Sequence, residues 1–277
     1  MKALIDADIF QWEFGSATDD EYNILPWPLV QSRIQGRIDG IMEATGADEY
    51  QLFLTTDDKS NFRYEIASIR PYKGHRATEK PHWYTHIRNF LVDHRGAQEV
   101  SGQEADDAMS ILQWADWNQG LHRWSIGDFN VLYYGDDKSA YLEDSCSTVI
   151  CSKDKDLNMV PGWHYGWHKG KQQEKGMWFQ DEIGGIKCFY CQLLTGDSTD
   201  NIPGLYGVGT SSAHLKHVNS FDTEHDMYRY VLGQYELRFG SYAEQFLVEN
   251  ARLLWMRKEE GELWTPPSLE KSQGELK

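Results

Sequence analysis

Three short apolar runs in this chain drive straight into acids: ALIDAD at 3–8, YQLFLTTDD at 50–58 and TVICSKDKD at 148–156. Each is a short apolar run that ends in acids, so each predicts a buried strand (3–8, 50–55 and 148–152) with polar groups at its carboxyl end. Helical periodicity falls between them. Leu29, Ile34, Ile38, Ile41 and Met42 mark one helix over 29–44, and Ala108, Ile111, Leu112 and Ala115 mark another over 104–117. A third helix is expected from about His82 to Val92 and a fourth over 183–194. Strands alternating with helices predict an α/β fold, a mostly parallel central sheet with helices on both faces. In such sheets, sites lie at the carboxyl ends of the strands.

The acids recur at those ends. They stand at Asp6 and Asp8, Asp57 and Asp58, Glu104 with Asp106 and Asp107, Asp154 and Asp156, and Asp197 and Asp200. Glu104 and Asp107, spaced i, i+3, share one helix face, and Asp197 and Asp200 repeat that spacing on a later segment, so each pair can present two oxygens toward one point. Helix dipoles explain any one group, but not five that close successive core elements. So many like charges are tolerable only with cations, and hard oxygen donors favour Mg²⁺ or Mn²⁺ over zinc. Two such ions about 4 Å apart suit hydrolytic phosphodiester chemistry.

A net charge of −16 argues against nucleic acid as a partner unless basic groups are concentrated locally. They are. Between Arg70 and Arg95 stand Arg70, Lys73, Arg76, Lys80, Arg88 and Arg95, against only Glu79 and Asp93. Tyr72, Trp83 and Tyr84 lie in the same window, and Tyr72 is a candidate for stacking on an unpaired base. His82 and His86, spaced i, i+4, lack a partnering acid and are expected to serve as polar groups near phosphate rather than as metal ligands. No run reaches the ~18 apolar residues of a membrane helix, so a cytoplasmic protein is expected, in a bacterium or a phage-infected cell. Cys146, Cys151, Cys188 and Cys191 form no disulfide framework; the last two sit in IKCFYCQLL, which reads as a buried helix. The segment 118–145 shows no clear pattern.

Taken in order, LIDAD, RPYKGHR, GQEADDAM, CSKDKDL, TGDSTDNIPGLYGVG and NARLLWM resemble the successive motifs of the 5′-nuclease (flap endonuclease) family. That family includes the 5′-nuclease domain of bacterial DNA polymerase I and the small phage 5′→3′ exonucleases. The likeness runs from about residue 3 to 256. It implies a PIN-like core over 1–182 with an arch at about 71–101, a helix-three-turn-helix module over 183–265 and a polar tail over 266–277. It implies one metal site held mainly by Asp6, Glu104 and Asp106 and shared with Asp107 and Asp154. A second would draw on Asp156, Asp197 and Asp200. The family's acid after the second strand corresponds to Asp57 or Asp58, and Asp8 stands where the family often has a small polar residue.

By the same resemblance, Lys73 and Arg76 lie over the scissile phosphate; Tyr72 and Lys80, in the same basic window, are further DNA-binding candidates. Gly204, Gly207, Val208 and Gly209 match the hairpin that approaches duplex phosphates, often through K⁺. The implied activity is metal-dependent 5′→3′ DNA exonuclease action, with structure-specific flap cutting, that leaves 5′-phosphates. Its partner would be duplex DNA with a 5′ end, nick, gap or flap, met by a monomer. Only 25 residues separate Arg76 from Gly102, which predicts a reduced arch. Two alternatives are removal of RNA from RNA:DNA hybrids and a PIN-type single-strand RNA nuclease; the Gly204–Gly209 segment argues against the second. A third is a non-catalytic nucleic-acid-binding protein, which would be expected to have lost part of the acid set.

Overall fold

The computed structural model describes residues 1–75, 79–167 and 176–268. The chain runs through β1 (Lys2–Asp6), α1 (Asp8–Glu13), α2 (Trp27–Thr45), β2 (Glu49–Thr55), α3 (Arg63–Ile66), α4 (Tyr84–Arg95) and β3 (Gln98–Val100). It continues through α5 (Ala105–Ser125), α6 (Lys138–Ser145), β4 (Thr148–Cys151), β5 (Gly162–Gly166), β6 (Gly176–Gln180) and α7 (Glu182–Thr195). Last come β7 (Gly196–Asp197), β8 (Ile202–Pro203), α8 (Ala213–Asn219), α9 (Glu224–Phe239) and α10 (Ala243–Leu254).

Six strands form one sheet in the order β3-β2-β1-β4-β5-β6. β1 pairs in parallel with both β2 and β4, and only β6, paired with β5, runs antiparallel. The expected mostly parallel α/β sheet is therefore present. Both faces are covered, because successive side chains of a strand point to opposite sides and both sets are apolar here. Ala3, Ile5, Leu52, Leu54, Val149 and Cys151 enter a core with α1, α2 and α4. Leu4, Phe53 and Ile150 enter a second, larger core with α5, α7, α9 and α10.

The α2 helix holds two glycines because its buried stripe is Val30, Ile34, Ile38 and Ile41, while a Cβ at Gly36 or Gly40 would meet nothing. Gly46, at φ 63, then closes it in the left-handed region that glycine adopts without strain. The uninterpreted stretch 118–145 holds the end of α5, a 3-10 turn at Phe129–Tyr134 and α6. Just before it, buried Asp116 of α5 accepts hydrogen bonds from the backbone N–H groups of Ser147 (2.7 Å) and Thr148 (2.9 Å), fixing the start of β4 to α5.

Among the described residues no helix is long and apolar enough to cross a membrane. All four cysteines are free; Cys188 and Cys191 lie on α7, a helix as expected, but they are half-buried there rather than buried.

Candidate active site

Each element delivers its acid to the same place. A cleft of about 820 Å³ at the carboxyl end of the sheet is lined by Asp6 from β1, Asp57 after β2, Glu104 and Asp106 at the start of α5, Asp154 and Asp156 after β4, and Asp197 and Asp200 beyond α7. Asp8 lines it too.

At the centre, Asp6 Oδ2 accepts the Ser152 hydroxyl at 2.9 Å and Oδ1 accepts the Asp8 N–H at 3.1 Å. Burial first, then repulsion from Asp8 and Asp154, pushes Asp6 up to about 8. Asp106 is raised well above the usual carboxylate range by burial and by Asp6, Asp154 and Glu104, and its Oδ1 is enclosed without any hydrogen-bond partner. Asp156 is pushed up to about 7 by burial and Asp154, although Gln192 Nε2 donates to it at 2.6 Å. Asp8 rises to about 6 by burial, and hydrogen bonds from the Thr55 N–H at 3.1 and 3.2 Å restrain it.

Two lysines counter this charge. Burial works against ionised Glu104, but Lys73 and Arg63 outweigh it and hold Glu104 below its ordinary value. The Lys73 ammonium donates to Glu104 Oε1 and stands 3.9 Å from Asp200. Likewise Lys155, at 2.5 Å, overcomes burial and keeps Asp197 below its ordinary value.

Several sequence assignments find different places. Asp107 is fully buried away from the cleft, where it takes the Arg63 guanidinium at 2.5 and 3.0 Å and completes a capping box with Glu104. Its partner is structural. Asp58 turns aside to accept the Ser60 N–H (3.0 Å) and the Thr56 hydroxyl (2.8 Å); the Ser60 side chain and N–H, then Thr56, hold it down to about 2, whereas Asp57 faces the cleft beside Lys80 at 2.7 Å.

Tyr72 is only 3 % exposed, so its ring offers no face to a base. Its hydroxyl instead lies 2.9 Å from Glu104 Oε2 and 2.7 Å from Asp200 Oδ2. Arg76 lies outside the described residues, as does most of the 266–277 tail.

Gly204 is required by packing, since a Cβ there would fall 2.1–2.4 Å from the backbone of Thr195 and Gly196. Gly207, at φ 83, and Gly209 have open space around them, and Val208 packs partly on the larger core. Sequence reasoning missed Arg63, Lys155 and Gln192 as partners of the acids. An arginine in FRYE carries no signal that it will be buried.

Do these residues suit a divalent cation? The donors are hard oxygens, one enclosed oxygen is unpartnered, and mutual repulsion raises Asp6, Asp106 and Asp156. All three observations fit. Among the described residues no three His, Cys, Asp or Glu are already gathered into a closed cage. Lysines lie across Glu104 and Asp197 instead.

The mostly parallel α/β fold with this cleft at its carboxyl end is one that structural comparison finds again in a phage protein. The chain matches a crystal structure of the bacteriophage T5 D15 protein co-crystallised with metal ions, at 14% identity and a TM-score of 0.55, over 91% of this chain and 88% of that one. It also matches the T5 D15 flap endonuclease in a pseudo-enzyme–product complex with DNA and metal ions, at 12% identity and a TM-score of 0.48, over 91% and 98%. At such identities what is shared is the fold, and the first match carries that conclusion. No family model matches the chain, and no curated protein matches it.

Proposed function

We propose that this chain is a divalent-metal-dependent 5′→3′ DNA exonuclease with structure-specific endonuclease activity, hydrolysing phosphodiester bonds to leave 5′-phosphates. The observation that carries the reading is the convergence of acids from five separate chain segments on one cleft, with Asp106 Oδ1 enclosed and unpartnered. Asp6, Glu104, Asp106 and Asp154 would hold one Mg²⁺ or Mn²⁺, and Asp156, Asp197 and Asp200 a second, with Asp57 at the rim. Bound there, the ions would lower the pKa of water and offset charge on the leaving oxygen.

The protein's own groups do the rest. Lys73, beside Glu104 and Asp200, and Arg76 bind the scissile phosphodiester and stabilise the charge that builds on it. Tyr72 orients Glu104 and Asp200 through its hydroxyl. Ser152 and Gln192 fix the rotamers of Asp6 and Asp156. The C-terminal helices α8 to α10, with the Gly204–Gly209 turn, form a helix-three-turn-helix module that grips duplex DNA beside the cleft, with K⁺ at its hairpin. The metal ions co-crystallised with the T5 D15 fold relative support a metal-dependent reaction.

The test is digestion of 5′-labelled and 3′-labelled duplexes, nicked, gapped, flapped and blunt, with Mg²⁺ or with EDTA. Products released from 5′ ends only with Mg²⁺ are expected. Metal-independent cutting, or unchanged cutting by Asp154→Asn and Asp156→Asn, overturns the proposal.

A further inference from the structure

The stretch 121–145 contributes nothing to the cleft, yet it carries a dense group of exposed apolar side chains. Ile126, Phe129, Leu132 and Tyr133 are 64, 83, 71 and 89 % exposed. Single exposed apolar residues are ordinary; four within eight positions are not. Fraying does not explain them, because the turn that presents them is anchored. Val131 is buried in the larger core, and Tyr134 packs edge-on against Tyr141 while its hydroxyl donates to Asp144 at 2.8 Å. Between those anchors a 3-10 turn throws Phe129, Leu132 and Tyr133 outward.

The place and the charge define what fits. α5 starts at the cleft and its 21 residues carry the chain ~30 Å away, past the start of β4, so the turn lies at the opposite end of the sheet. Within residues 121–145 stand Asp128, Asp136, Asp137, Glu143 and Asp144, against Arg123 and Lys138 in the same stretch. That rim repels phosphates, which disfavours DNA and anionic lipid. It equally disfavours a second copy of this chain, since a two-fold contact would set Asp128, Asp136 and Asp137 against themselves.

We propose that the turn at 126–134 is a docking surface for a partner polypeptide bearing apolar side chains flanked by lysine or arginine. The apolar residues of the partner seat on Phe129, Leu132 and Tyr133, and its cations face the acidic rim. Binding there leaves the cleft open, so the partner tethers the protein without occluding its site. This surface is independent of the activity proposed above.

The test uses the full-length chain and two fluorescein-labelled helical peptides with the same leucine and phenylalanine face, one flanked by lysines and the other by glutamates. Anisotropy should show that the lysine peptide binds, and that binding weakens as salt rises from 50 to 500 mM. Phe129→Ser with Leu132→Ser should weaken it at least tenfold with the thermal midpoint unchanged. Asp128→Asn with Asp136→Asn and Asp137→Asn should flatten the salt dependence. The proposal is overturned if the lysine peptide fails to bind, if the glutamate peptide binds equally well, or if the serine variant binds as the original does. Self-association of the original chain in sedimentation, abolished in the serine variant, overturns it in favour of a second copy.

Discussion

Arg63 and Asp107 meet in a two-pronged ion pair with both side chains sealed from solvent, and the same guanidinium also donates to the carbonyls of Leu253 and Trp255. One buried cation thus ties the start of α5 to the end of α10. Removing one partner strands the other charge, at a cost of ~3–5 kcal/mol. Asp107→Ala is therefore expected to lower urea-unfolding stability by that order, while the folded fraction still binds Mg²⁺. If it folds normally but loses metal binding, Asp107 is a ligand after all.

The raised carboxylates make the metal-free protein sensitive to pH. Asp6 (about 8), Asp156 (about 7) and Asp8 (about 6) all sit above the unfolded value of ~3.9. The native state therefore holds extra protons, and the stability they provide is complete below about pH 4 and lost as pH rises through about 6 to 8. In EDTA the thermal midpoint should fall across that window, and Mg²⁺ should restore it by binding the ionised form. A midpoint that stays flat in EDTA would count against the crowding.

Asp106→Asn removes one charge from the most crowded position. The metal-free variant is expected to melt higher than the original chain, and on the proposed reading cutting should fall by ~100-fold or more, because one ion would lose a ligand. Calorimetry and single-turnover digestion read the two effects separately.

Between the adjacent acids after β2, only Asp57 faces the cleft. Asp57→Asn should raise the Mg²⁺ concentration needed for half-maximal cutting several-fold, and Asp58→Asn should leave it within about twofold. The reverse ranking would reassign the rim position.

Gly204→Ala forces a methyl group into the backbone of Thr195 and Gly196 and should cost several kcal/mol, on the order of the largest overpacking penalties. Gly209→Ala meets nothing, so its fold should survive and only its duplex affinity should report on the proposed hairpin. Denaturation and gel-shift titration distinguish the two.

The central strands and most long helices were legible because their apolar runs are strong and local. α2 begins at Trp27 and ends at Thr45, close to the expected 29–44, and β4 spans Thr148–Cys151 within the expected 148–152. Short elements were not legible. β3 has three residues and β7 and β8 have two each, too few to show a period, and their pairing is decided by tertiary contact. At the cleft, sequence order marked which acids cluster, but not how each side chain turns. Asp107 shares a helix face with Glu104 and looks like a second ligand, and only the buried Arg63, distant in sequence, draws it inward. Tyr72 sits in a basic stretch that suggests an exposed ring, whereas packing against Tyr64 and the two carboxylates encloses it.

Asp197 and Asp200 reach the cleft only after the chain has passed residue 195, and α10 must dock before Arg63 finds its last partners. A chain still emerging from the ribosome would therefore display Asp6, Glu104 and Asp154 with half of their setting absent. On the proposed reading, a nascent molecule is harmless to the DNA around it until α10 has been made and docked, and clipping α10 would disarm a mature one.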